Sequence, residues 1–195
     1  MNLVDRVRQN FAQSINTQMQ AESLLAEPIA HAATLIVQRL LEGSKVLTCG
    51  NGASAAEAQR FSSSMLNRFQ RERPGLPALA LVGDVATITA IASDYDYDEI
   101  FAKQIHAMGH PGDVLLAISA TGSADNIGAA IAAAHEREMF IVELGSDSGG
   151  DMSNHLREHD VALRIPSEHA PTVQELHVFT VNCLCDLIDL QLLGQ

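Results

Sequence analysis

Five short runs of apolar residues, each separated from the next by segments of helical periodicity, constrain this chain more tightly than any other feature. The runs fall at 45–49, 78–82, 114–118, 139–144 and 161–165. Val114-Leu115-Leu116-Ala117-Ile118 shows no alternation of polar with apolar side chains, so both of its faces must be buried. Strands of that kind belong in a parallel sheet, and a parallel sheet needs a crossover between successive strands. The spacing supplies one each time: helices are predicted over 55–69, 85–92 and 99–108, 126–135 and 152–158, and a last helix over 172–193 follows the fifth run. Ahead of the first strand, helical spacing over 3–25 and again over 29–41, closed by Gly43, predicts two leading helices. The fold class is therefore α/β, a three-layer α/β/α sandwich on a five-stranded parallel sheet with two extra N-terminal helices and a long C-terminal one.

The chain has 195 residues, enough for one full core, and no Pro/Gly/Ser-rich or like-charge stretch marks a linker, so a single domain over 1–195 is expected. No uninterrupted apolar run approaches the ~18 residues of a membrane span, and the segment after Met1 lacks the apolar stretch of a signal peptide. A cytoplasmic protein is expected. The formal net charge of −12 repels phosphate backbones, which argues against direct nucleic-acid binding. Among the scattered cations only Arg68, Arg71 and Arg73 cluster. Cys49, Cys183 and Cys185 have no metal-type spacing and read as reduced, packed thiols, and no metal or cofactor is expected.

Parallel sheets bind ligands outside the carboxyl ends of their strands. Two of those ends carry small polar residues: Gly50-Asn51-Gly52-Ala53-Ser54 after the first strand and Ser119-Ala120-Thr121-Gly122-Ser123 after the third. Hydroxyls and free backbone N–H groups there could hold a phosphate, or Ser123 could simply cap the following helix. The match of 50–55 to G-x-G-x-x-A is weak as a dinucleotide fingerprint, because the second strand begins nearly thirty residues later.

Cys-Gly-Asn-Gly-Ala-Ser at 49–54, Asp-Val-Leu-Leu-Ala-Ile-Ser at 113–119 and Val-Gln-Glu-Leu-His at 173–177 resemble the sugar isomerase (SIS) domain family. Within it the chain is similar to the branch that holds the phosphoheptose isomerases and the DnaA initiator-associating proteins. The second group is the nearer in Asn182-Cys183-Leu184-Cys185-Asp186-Leu187-Ile188-Asp189 and Asn67-Arg68-Phe69. The resemblance implies a flavodoxin-like fold and a homotetramer with shared clefts, with 1–43 acting as a helical hairpin in assembly. It also implies a phosphosugar cleft formed here by Asn51, Gly52, Ser54, Asp94, Ser119, Thr121, Ser123 and Gln174.

In the isomerases one helix presents His and Glu at i and i+4 and the last helix presents Gln and His at i and i+8, near a divalent metal. The Glu and the last His are the acid/base pair. The matching positions here are Arg60, Ser64, Gln174 and Asn182, of which only Gln174 keeps the isomerase residue. Arg60 would repel a metal, and Ser64 and Asn182 have no group that titrates near neutral pH. Glu57 and His177, each one helical turn away, could converge as a replacement pair, or could serve as a surface ion pair and a packed imidazole. In the run Asp94-Tyr95-Asp96-Tyr97-Asp98-Glu99 a solvated loop with Asp98 as a helix cap is expected.

Two functions of different kinds follow from the resemblance. The first is a non-catalytic adaptor that binds the replication initiator DnaA and promotes initiation, with Leu192 and Leu193 in contact with the partner. The second is a phosphoheptose isomerase, or a sensor that binds a sugar phosphate without turning it over.

Overall fold

The computed structural model describes residues 2–147 and 150–194. Five strands, β1 (Val46–Gly50), β2 (Ala78–Ala80), β3 (Val114–Ile118), β4 (Phe140–Ser146) and β5 (Val161–Ile165), form one all-parallel sheet in the order β2-β1-β3-β4-β5. β3 and β5 occupy the predicted residues, and every residue of β1 and β3 is buried. The helices are α1 (Leu3–Leu41), α2 (Ala53–Leu66), α3 (Val85–Asp94), α4 (Ala102–Met108), α5 (Asp125–Glu136) and α6 (Ala170–Leu193). Phe61 and Met65 of α2, with α1 and α6, bury one face of the sheet through Val46, Leu116, Ile118, Val142 and Leu163. Ile105 of α4 and Ile127 and Ile131 of α5 bury the other through Leu47, Leu115, Ala117 and Ile141.

The expected N-terminal hairpin is corrected: α1 is one helix of 39 residues, continuous through Pro28. Proline removes a backbone donor and crowds the preceding turn, which is why the sequence suggests a break there. Packing overrides it. Thr17, Ala21, Leu25, Ile29, Ala32, Ala33, Ile36 and Val37 form one buried stripe that crosses the proline without a change of phase. Asn2 caps the start, its side-chain oxygen accepting the Asp5 N–H at 2.8 Å. Gly43, at φ 87°, ends the helix as predicted.

Two further helical predictions are shortened. The region 99–108 splits into a single 3-10 turn, Tyr97–Glu99, and α4. The cap of that turn is Asp96, which accepts the Asp98 N–H at 3.1 Å, so Asp98 is inside the turn rather than its cap. The predicted helix over 152–158 is a 3-10 segment, Asp151–His155. By length and composition α1 and α6 could each cross a membrane, yet here they pack against one another and on the sheet.

Because α1 tolerates Pro28 only through its buried stripe, Pro28→Ala is expected to raise the free energy of unfolding by about 1–3 kcal/mol, read from urea titration.

Candidate functional site

The strand order reverses between β1 and β3: the chain leaves β1 toward α2 on one face and leaves β3 toward α5 on the other. At the end of β1, α2 comes down so closely that a Cβ on Gly50 would lie 2.6 Å from the Ser54 carbonyl oxygen. Only glycine fits there. Gly52, at φ 56°, then turns the chain into α2, and the buried Ser54 donates its N–H to the Asn51 carbonyl at 3.0 Å.

At the end of β3 the buried Ser119 Oγ accepts the Gly122 N–H at 3.0 Å, with Gly122 at φ 67°. Ser119 therefore shapes the turn, and that bond leaves its hydroxyl proton free to donate. Thr121 and Ser123 are exposed beside it, their hydroxyl oxygens 3.5 Å apart. The alternative in which Ser123 caps the next helix is not realised: the cap of α5 is Ala124, with no side-chain bond.

Two side chains that sequence reasoning did not assign to the site, Asn126 and Tyr97, tie these turns together through the expected Asn51. Asn51 donates to the Asn126 Oδ1 at 2.8 Å, and Asn126 returns a bond to the Asn51 Oδ1 at 3.0 Å. Tyr97 donates its hydroxyl to the same Asn51 oxygen at 3.1 Å. The paired amides bridge the opening between β1 and β3, and Asn126 is buried beneath it. Only Asn126's place at the start of a helix beside the hydroxyl turn could have hinted at this. Asp94 closes α3 and is exposed.

A second concavity, about 330 Å³, lies between the starts of α2 and α6 and is lined by Ser54, Glu57, Gln174 and His177. Here the structure does bring Glu57 and His177 together. The His177 Nε2 donates to the Gly145 carbonyl at 3.0 Å, which fixes the tautomer and leaves Nδ1 as an unprotonated acceptor with no partner. Burial pulls the imidazole below its ordinary pKa, against the opposing effect of that carbonyl. Glu57 Oε2 is likewise buried and unpaired. Burial raises its carboxyl and the Arg60 guanidinium partly offsets the rise.

At the isomerase metal and acid/base positions, Arg60 and Asn182 meet in a different chemistry. Arg60 donates from Nε and Nη2 to the Asn182 Oδ1 at 3.3 and 3.2 Å, joining α2 to α6. Ser64 offers its carbonyl to Arg73 Nη2 at 2.9 Å. A guanidinium, an amide, a hydroxyl and Gln174 do not fit a divalent metal, and no group of three His, Cys, Asp or Glu able to hold one occurs among the described residues. The three cysteines are free thiols; Cys49 and Cys185 are buried, and burial pushes both to about 12.

A parallel sheet in this order, with hydroxyl-bearing turns where the order reverses, carries the pattern of the SIS domain, which matches residues 9–146. The chain belongs to the SIS domain family. It is 52% identical over 194 residues to the phosphoheptose isomerase of Alkalilimnicola ehrlichii, covering 100% of this chain and 99% of that one. It is also 52% identical over 187 residues to the DnaA initiator-associating protein DiaA of Klebsiella pneumoniae, covering 96% and 95%. Among solved structures, the phosphoheptose isomerase of Francisella tularensis superposes with a TM-score of 0.94 at 44% identity, covering 97% of this chain and 99% of that one. The one from Neisseria gonorrhoeae gives 0.91 at 40%, covering 96% and 99%.

The neutral, buried His177 makes stability depend on pH. Its folded pKa lies below the unfolded value of about 6.5, so the unfolded chain takes up the proton first as pH falls. Stability is full above that value and is lost as pH drops from it through the folded pKa. The unfolding midpoint is expected to fall on acidification from pH 7, with a shallower fall in His177→Asn, measured by thermal melts across pH.

Proposed function

We propose that this chain is a non-catalytic, homotetrameric SIS-domain adaptor that binds the replication initiator DnaA in the cytoplasm and promotes initiation of chromosomal replication. The observation that carries this reading is the Arg60–Asn182 hydrogen bond: two of the four positions matching the isomerase metal and acid/base groups are engaged with each other, and none of the four carries a group that titrates near neutral pH. The likeness to DiaA of Klebsiella pneumoniae supplies the partner. The initiator would contact DNA, which agrees with a chain of net charge −12.

The tetramer reading rests on α1. Val7, Phe11, Ile15 and Met19 stand exposed on it, and Phe179 stands exposed on α6. Between the two helices runs an apolar groove of about 530 Å³ that includes Ile15, Met19 and Phe179. A continuous apolar face of this kind suits a second copy of the chain. Phe11→Asp is expected to shift the protein from tetramer to smaller species in sedimentation velocity.

Docking of the initiator is assigned to the end of α6. Leu193 is 41% exposed, Leu190 joins it at 39%, and Leu192 is half-buried against the core as their support. Several copies of this edge on one tetramer would add modest contacts into avidity.

A second reading, a phosphoheptose isomerase, is favoured by the pocket that holds Glu57 and His177, each with one unpaired buried atom. The His177 Nδ1 lone pair could accept a proton while the raised Glu57 carboxyl supplies one. The relative from Alkalilimnicola ehrlichii bears that name. One preparation tests both readings. The adaptor reading expects capture of DnaA, weakened at least about tenfold by Leu192→Ala with Leu193→Ala in an intact tetramer, and no turnover of sedoheptulose 7-phosphate. Turnover abolished by Glu57→Gln or His177→Asn would overturn it in favour of the enzyme. Binding of the sugar phosphate without turnover, lost in Ser119→Ala, would mark a sensor.

A further inference from the structure

The last turn of α6 is held from outside the helix. α6 has no basic residue in its last turn, and its cap, Gly194, lies at φ 74°. The final carbonyls of a helix lack intrahelical donors and carry its negative end. The missing cation comes from the segment that follows α2, more than a hundred residues away in sequence: Arg71 Nη1 donates to the Gly194 carbonyl at 2.6 Å.

Two residues further along that segment, Arg73 is fully sunk, its side chain 1% exposed. Its Nε donates to the Asp189 Oδ1 at 2.6 Å, and its two terminal nitrogens donate to the carbonyls of Met65 at 2.8 Å, Ser64 at 2.9 Å and Pro74 at 3.2 Å. One guanidinium thus rivets the end of α2 to α6 at Asp189, four residues before Leu193. Between Asp189 and Gly194, the two anchored points, lie Leu190, Leu192 and Leu193. Arg73 sets where this turn sits against α2, and Arg71 keeps it wound to its end.

We propose that Arg71 and Arg73 are positioning residues for partner docking, holding the exposed leucines of α6 in one fixed presentation. This rests on the reading of that edge as the initiator-binding surface. Arg73 is part of the buried structure, so its removal would lower global stability. Arg71 is exposed and its bond is to the Gly194 carbonyl, so it separates positioning from folding.

The full chain is compared with Arg71→Ala, Arg71→Lys and the Leu192→Ala, Leu193→Ala pair by amide hydrogen exchange and by DnaA binding. In Arg71→Ala, exchange over 190–194 is expected to quicken about fivefold while 114–118 is unchanged, and affinity for DnaA to drop about fivefold. Arg71→Lys, which keeps the cation, is expected to restore most of both. Unchanged exchange over 190–194 in Arg71→Ala overturns the proposal, as does unchanged DnaA affinity in that variant when the leucine pair abolishes binding. Undiminished binding by the leucine pair overturns the docking surface itself, and the exchange result then still reports whether Arg71 holds the helix end.

Discussion

The reversal of strand order between β1 and β3 is the constraint from which the rest of the molecule follows. Neighbouring parallel strands whose crossovers leave toward opposite faces open a crevice that no helix can fill, and backbone at its floor must find partners or face water. In this chain the crevice is bridged by amides. Asn51 and Asn126 each donate to the other across it, and Tyr97 adds a third bond to Asn51. Gly50 lets α2 approach the strand end, and Ser119 closes the turn opposite.

The polar groups between α2 and α6 differ in kind along the interface. That interface contains the pocket with Glu57 and His177 near its start, the Arg60–Asn182 bond beyond it and the Arg73–Asp189 ion pair at its end. Passing along that line, an imidazole and a carboxyl give way to a guanidinium–amide bond and then to a buried ion pair. Breaking a buried ion pair by removing one partner typically costs about 3–5 kcal/mol, which makes the far end of this interface costly to disrupt.

The sheet could be read from the sequence because β1, β3 and β5 are dense in apolar, largely β-branched or leucine residues and each is followed by a turn. The hydroxyl turns at 119–123 could be read for the same local reason. What escaped was decided by distance in sequence. Asn51 and Asn126 are 75 residues apart, Arg60 and Asn182 122, and Arg73 and Asp189 116, and no local pattern announces such pairs. Pro28 misled in the opposite direction: its local preference is to end a helix, and it was outvoted by a stripe of contacts that only the folded chain supplies.

That stripe also begins late. At about 1.5 Å per residue α1 is roughly 58 Å long, yet no residue before Thr17 is buried. Residues 3–16 bury no side chain, and Ser14, donating its hydroxyl to the Glu175 carboxylate of α6 at 2.7 Å, ties the end of this stretch to the body; its length is about that at which an isolated helix is marginal in water. Their order draws little on the hydrophobic core. With so little packed against it, this end of the chain should unwind on heating before the sheet is touched.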